Sequence, residues 1–188
     1  MKILFIGDIS GRPGRETVKK ILPNLRSSQN LDFVIANAEN AAGGRGVTLE
    51  TLNELTSYGI DFFTTGEHVW DIKSFRDEIR DDNLSIVRPI NYEASSYLPG
   101  KGIREIDLGS KGKIFVASFL GQTFMRDNVR SPFWVFDELY NEYSEKWAGS
   151  AVILDFHAEA TSEKLTFGNY VKDKVSVVLG THTHVPTA

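Results

Sequence analysis

Four histidines stand at or just beyond apolar runs that read as strands, and two of them stand together in Gly180-Thr181-His182-Thr183-His184. The other runs end in carboxylates, amides or a single histidine. Asp8 closes ILFIGD, Glu39 and Asn40 close FVIANAEN, Glu67 and His68 close FFTTGEH, and His157 lies near the end of AVILDFHAEA. Imidazole nitrogens and carboxylate oxygens are ligands for divalent transition metals. In an open α/β sheet the carboxyl ends of the strands converge on one crevice, so residues far apart in sequence can become neighbours there. The chain therefore reads first as a metalloenzyme.

Each residue has a second reading. Residues two apart in an extended chain point to the same side about 7 Å apart. His182 and His184 could therefore both reach a two-metal centre, whose ions sit roughly 3.5–4 Å apart; alternatively one is a ligand and the other a loop histidine. Asp155, His157 and Glu159 alternate in the same way, and a charge in an apolar strand is costly unless paired or metal-bound. A structural ion pair inside the sheet is the expectation for Asp155, and metal ligation the expectation for His157. Asp8 suits a metal ligand, a helix N-cap or an aspartyl nucleophile. Asn40 suits a ligand or a turn, and Glu39 a bridging carboxylate, since its two oxygens can each bind an ion.

The elements that would carry these residues alternate between short β-branched or aromatic runs and amphipathic stretches, the α/β pattern. Strands are expected at Ile3–Ile6, Phe33–Ala36, Phe62–Thr65, Leu84–Pro89, Gly102–Leu108, Lys113–Leu120, Ala151–Phe156 and Val175–Leu179. The turn Gly109-Ser110-Lys111-Gly112 is too short for a parallel crossover, so its flanking strands should pair antiparallel. Helices are expected from about Arg15 to Pro23, which would end or kink the first; from a Thr48 cap to near Gly59; over Ile72–Ile79; and over Phe133–Trp147. The segments Gly11-Arg12-Pro13-Gly14 and Gly43-Gly44-Arg45-Gly46 read as loops. Arg12, Gly43 and Arg45 offer guanidinium and backbone donors for a substrate phosphate there, or are ordinary solvated turns.

The 188 residues, 41% of them apolar and 11% aromatic, suit one domain over 1–188 with a sizeable core. No apolar run approaches the roughly 20 residues of a membrane span. With no cysteine, disulfides and thiolate metal sites are excluded, and a cytoplasmic location is the expectation. The formal net charge of −4 argues against polymeric nucleic acid as a partner, no membrane partner is expected, and a homo-oligomer stays open. A small phosphorylated ligand fits, because bound divalent ions supply local positive charge.

The segments Gly7-Asp8, Asn37-Ala38-Glu39-Asn40-Ala41-Ala42, Gly66-Glu67-His68-Val69-Trp70-Asp71, DFHAEATSEK from Asp155 to Lys164, and GTHTHVPTA from Gly180 to Ala188 resemble the YmdB-type bacterial calcineurin-like metallophosphoesterases. The resemblance runs over essentially the whole chain. It implies a two-sheet sandwich flanked by helices and a phosphodiesterase acting on 2′,3′- or 3′,5′-cyclic nucleotides by attack of a metal-bridging hydroxide. It implies two divalent metal ions, iron or manganese, with zinc or cobalt as alternatives. In the family's pattern Asp8, Glu39, Asn40 and His184 would hold one ion. Glu39, the residue at position 67, His157 and His182 would hold the other, with His68 as the catalytic histidine. Two departures stand out. The family usually carries asparagine before that histidine, where this chain has Glu67, and its members continue past the THTH segment, so a truncated C-terminus is an expectation. A metal-containing phosphoester-binding or regulatory protein with weak or no turnover is the alternative reading.

Overall fold

The computed structural model describes residues 1–93 and 98–186. The fold is mixed α/β with two sheets, each accompanied by helices. The chain divides into two compact units, Met1–Ile86 and Val87–Ala188. Thr187 and Ala188, the end of the GTHTHVPTA segment, lie outside the described residues.

The first unit is built on a three-stranded parallel sheet of order β1-β2-β3, with β1 Ile3–Ile6, β2 Phe33–Asn37 and β3 Phe62–Thr64. Every residue of the central β2 is buried, as its uninterrupted apolar run requires. Helices α1 (Gly11–Gln29) and α2 (Leu49–Ser57) place Val18, Leu22, Leu52 and Leu55 in the core with Val34, Ala36 and Phe63. Arg15 of α1 donates to Glu54 of α2 at 2.7 Å and to the Ala41 carbonyl at 2.6 Å, so the helices and the loop after β2 are tied together. Thr48 caps α2 as expected: its hydroxyl accepts from the Thr51 N–H at 3.2 Å, and Thr51 returns an acceptor to the Thr48 N–H at 3.0 Å. Helix α3 is only Phe75–Glu78, shorter than expected.

The second unit holds a four-stranded sheet of order β4-β5-β6-β7, with β4 Ile103–Asp107, β5 Lys113–Leu120, β6 Ala151–His157 and β7 Val177–Thr181. The expected antiparallel pair is β4–β5, closed at Asp107 opposite Lys113. The remaining pairs are parallel. Helices α4 (Pro132–Trp147) and α5 (Thr161–Val171) cover an aromatic core in which Phe167 stacks on Phe156 at 4.3 Å and touches Phe119, Phe133 and Phe136.

Several expectations are corrected. Gly11–Gly14 is the first turn of α1 rather than a loop, since proline is tolerated in a first turn whose N–H groups lack partners. Pro23 neither ends nor breaks that helix, which runs on to Asn30 in the left-handed conformation. Pro23 and Lys19 are exposed, and water can serve the Lys19 carbonyl that Pro23 cannot reach. Leu84–Pro89 forms no strand. Ile86 makes a single bridge to Phe63 and Pro89 a single bridge to Ser118. Pro89 has no N–H for a ladder, and the buried Arg88 turns its guanidinium to the carbonyls of Pro89 and Pro99, at 2.8 and 3.1 Å.

Because the Thr48 cap starts the helix that follows the Glu39–Gly46 loop, Thr48→Ala should lower the unfolding free energy by about 1 kcal/mol. Urea denaturation of the two proteins measures the difference.

Candidate metal and phosphate site

In the first unit the carboxyl ends of the three parallel strands lie side by side, and the loop after β1 follows the loop after β2. The Ile9 N–H donates to the Asn37 carbonyl at 3.0 Å and the Gly11 N–H to the Asn40 carbonyl at 2.8 Å. Asp8, half-buried, therefore sits at the strand ends alongside Asn37–Asn40. Asn37, Glu39, Asn40 and Glu67 are all buried. The Asn37 side-chain oxygen accepts from the Glu39 N–H at 3.1 Å, which aims the Glu39 carboxylate. That carboxylate then accepts from the Asn40 amide at 3.2 Å through Oε1 and from the His68 N–H at 3.1 Å through Oε2.

His68 follows β3 in a single 3₁₀ turn over Glu67–Trp70. Its Nδ1 lies 2.9 Å from the Asp71 carboxylate and its Nε2 4.0 Å from the Glu67 carboxylate. A carboxylate can only accept, so the short contact places the ring proton on Nδ1 whenever the ring is neutral and leaves the lone pair on Nε2. Glu39, Asn40, Glu67 and His68 are thus brought together. Arg12 is exposed in the first turn of α1, and Gly43 and Arg45 are exposed in the loop after Asn40. Gly43 and Gly44 have φ of 71° and 98°, and the Gly44 N–H returns to the Asn40 carbonyl at 3.1 Å.

In the second unit a buried chain of hydrogen bonds runs along the ends of β6 and β7. Thr181, paired opposite His157, donates its hydroxyl proton to Asp155 Oδ1 at 2.6 Å. That proton spent, the Thr181 oxygen at 2.8 Å can only accept from His157 Nδ1. His157 is thereby held as the tautomer whose Nε2 carries a lone pair, the arrangement that metal-ligating histidines share. The Thr181 hydroxyl is one partner of the buried Asp155, at 2.6 Å.

His182 Nδ1 lies 3.1 Å from His157 Nε2, and its Nε2 lies 3.0 Å from Glu159. Two nitrogens each about 2.1 Å from one shared ion, at right angles, stand about 3.0 Å apart. The His157–His182 spacing fits adjacent positions on one divalent metal. His182 and His184 do not follow an extended chain, however. β7 ends at Thr181, and the two histidines have φ of 90° and 54°. The bend leaves His182 half-buried beside His157 and His184 exposed.

Sequence reasoning assigned no role to Thr181, Asp71 or Asn37. Asp71 was signalled by its position three residues after His68, and Thr181 by its place between the paired strand and the histidines.

A family model described as YmdB-like protein matches residues 4–188. The 2′,3′-cyclic-nucleotide 2′-phosphodiesterase of Bacillus subtilis (strain 168) is 43% identical over 188 residues, which are 100% of this chain and 69% of that protein. A crystal structure of a phosphatase from Mycoplasma pneumoniae superposes with a TM-score of 0.89 at 34% identity, over 100% of this chain and 66% of that one. A crystal structure of a hypothetical protein from Thermus thermophilus gives 0.87 at 37% identity, over 100% and 69%. The chain thus spans about two thirds of the length of these relatives.

Removing the Thr181 hydroxyl takes away a partner from both Asp155 and His157 in a fully buried setting. Thr181→Val should therefore cost about 1–3 kcal/mol of stability, and Thr181→Ser should restore it. Chemical denaturation of the three proteins gives both numbers.

Proposed function

The chain belongs to the YmdB-like protein family, and on that premise we propose that it is a metal-dependent phosphoric diester hydrolase acting on cyclic nucleotides. The observation that carries this reading is the pair of imidazole nitrogens 3.1 Å apart, one of them fixed in its tautomer by Thr181 and Asp155. The activity named for the Bacillus subtilis relative supports the substrate class.

In this reading residues 1–188 act as one catalytic domain. In the first unit Asp8, Glu39, Asn40 and Glu67 at the strand ends would serve as ligands for divalent ions, and in the second His157, His182 and His184 would do so; two ions are inferred, iron or manganese before zinc or cobalt. When bound, such ions draw charge off the phosphoryl oxygens and lower the pKa of a coordinated water. The protein's own share is to place the donors and to supply a proton. His68 donates a hydrogen bond from Nδ1–H to Asp71, so in the doubly protonated imidazolium Nε2–H is the group that can pass a proton to the departing ribose oxygen. Asp71 fixes the ring's direction, and the Glu39 carboxylate fixes its backbone. The exposed Arg12 and Arg45 guanidinium groups and the Gly43 backbone would receive the phosphate from the solvent side. Among the described residues no helix is long and apolar enough to cross a membrane, and the negative net charge gives no general attraction for polymeric nucleic acid.

Glu67 adds a carboxylate where the family usually has an amide, and each added carboxylate weakens the attraction for an anionic phosphate. Glu67→Asn should raise the turnover of a cyclic nucleotide; an equal or lower rate in a steady-state assay would contradict the charge argument.

His68→Ala should slow turnover by about 10²–10⁴-fold with metal content unchanged. Elemental analysis alongside the kinetics decides the role, because loss of metal in the variant would make His68 a ligand instead.

A further inference from the structure

The loop from Gly121 to Arg130 leaves the end of β5 directly beside the histidine that ends β6: the Gly121 N–H donates to the His157 carbonyl at 2.9 Å. The loop is held at both ends. The buried Asn91 amide donates to the Leu120 carbonyl at 2.8 Å and to the Arg130 carbonyl at 3.0 Å, while its oxygen accepts from the Leu120 N–H at 2.8 Å. Gln122 closes the loop on itself through the Val129 carbonyl at 2.9 Å, and Tyr92 holds Asp127 at 2.9 Å. The Glu163 carboxylate takes the N–H groups of Gln122 at 2.8 Å and Thr123 at 3.1 Å. The fit is close enough that a Cβ on Gly121 would lie 2.6 Å from both Ala158 Cβ and a Glu163 oxygen.

On this clamped loop, one residue past Thr123, stands Phe124. Its φ is 64°, in the left-handed region that costs a bulky residue most, and it is 85% exposed, more than any other large hydrophobic residue among those described. Backbone strain and an apolar ring in water are two separate costs, and a glycine or asparagine would avoid both. Neither is offset by packing, since the ring is almost wholly in solvent. The cost is maintained at a place set by His157, because three residues of chain bring Phe124 within about 11 Å of Gly121.

We propose that Phe124 is the base-recognition residue of the proposed phosphodiesterase, the aromatic face on which the heterocycle of a nucleotide substrate stacks while its phosphate lies at the histidine end of the same sheet. Stacking tolerates every base, because each presents a π-face. The ring therefore selects nucleotides over other diesters without choosing among bases. The assignment rests on the phosphodiesterase reading above.

The test compares parent, Phe124→Ala, Phe124→Trp and Phe124→Gly as metal-loaded 188-residue chains on two substrates: a 2′,3′-cyclic nucleotide, and the cyclic phosphodiester of ethylene glycol, which has no base. Phe124→Ala should raise KM for the nucleotide about tenfold with kcat within about twofold. It should leave the glycol diester untouched, and Phe124→Trp should keep the parent KM. Phe124→Gly should melt at or above the parent, since glycine accepts this φ. If the parent hydrolyses the nucleotide and Phe124→Ala matches its KM, the assignment of Phe124 fails and the phosphodiesterase reading stands. Equal losses on both substrates, or a lower melting temperature for Phe124→Gly, would give the ring a structural role and overturn it. A parent that hydrolyses neither substrate overturns the reading beneath and this proposal with it.

Discussion

Parallel strand pairing is the constraint on which the candidate chemistry depends, because it decides which residues share an end. When neighbouring strands run the same way, their carboxyl ends open on one side, and the loops that leave them start from adjacent positions. In the first unit this aligns Asp8, Asn37–Asn40 and the Glu67–His68 turn. In the second it sets His157 opposite Thr181 and next to Leu120, so three successive strands deliver a loop, an imidazole and a hydroxyl to one edge. The antiparallel β4 stands at the other side of that sheet and brings no candidate residue, since its turn points the opposite way.

Those edges hold polar groups that are costly to bury. Asn37, Glu39, Asp155 and His157 are fully shielded from solvent. A buried carboxylate without compensation is among the most unfavourable arrangements a fold can contain. Here the compensation is local: a hydroxyl for Asp155, backbone and side-chain amides for Glu39. These bonds also remove choices. Thr181 can give its proton to only one neighbour, and in giving it to Asp155 it dictates where the His157 proton resides. The network that makes burial tolerable is the same one that turns the Nε2 lone pair of His157 toward His182.

How much of this was legible in the sequence follows from the range of each interaction. The strand tips were readable because an apolar run ended by Asp8, Glu39 or His157 is a local pattern. So was the β4–β5 pairing, which a short turn forces, and the Thr48 cap. Leu84–Pro89 misled because its apolar residues have the composition of a strand, while Pro89 has no N–H to donate to a ladder and the segment makes only single bridges. Pro23 misled in the opposite direction, its cost being met by solvent on an exposed helix face. Thr181 as a relay between Asp155 and His157 depends on the register of β6 against β7, which no spacing within either strand encodes. Histidines two apart share one side only on extended backbone, and β7 ends at Thr181, with His182 and His184 both at positive φ.

Backbone conformation adds an independent mark on the same region. Four non-glycine residues among those described have positive φ: Asn30, Phe124, His182 and His184. Asn30 is accounted for by helix geometry, since it caps α1 in the left-handed conformation, with its N–H on the carbonyls of Arg26 and Ser27. The other three all follow the carboxyl ends of strands in the second sheet, one after β5 and two after β7. Bulky side chains in this conformation persist only where the surrounding structure over-determines them. For the loop after β5 that surrounding structure is visible, in Asn91 at its two ends and Glu163 on its backbone. For His182 it is the ring contact with His157 and the carboxylate of Glu159. In the second unit the positive-φ residues other than helix caps thus stand past the carboxyl ends of β5 and β7, the end of the sheet where β6 places His157.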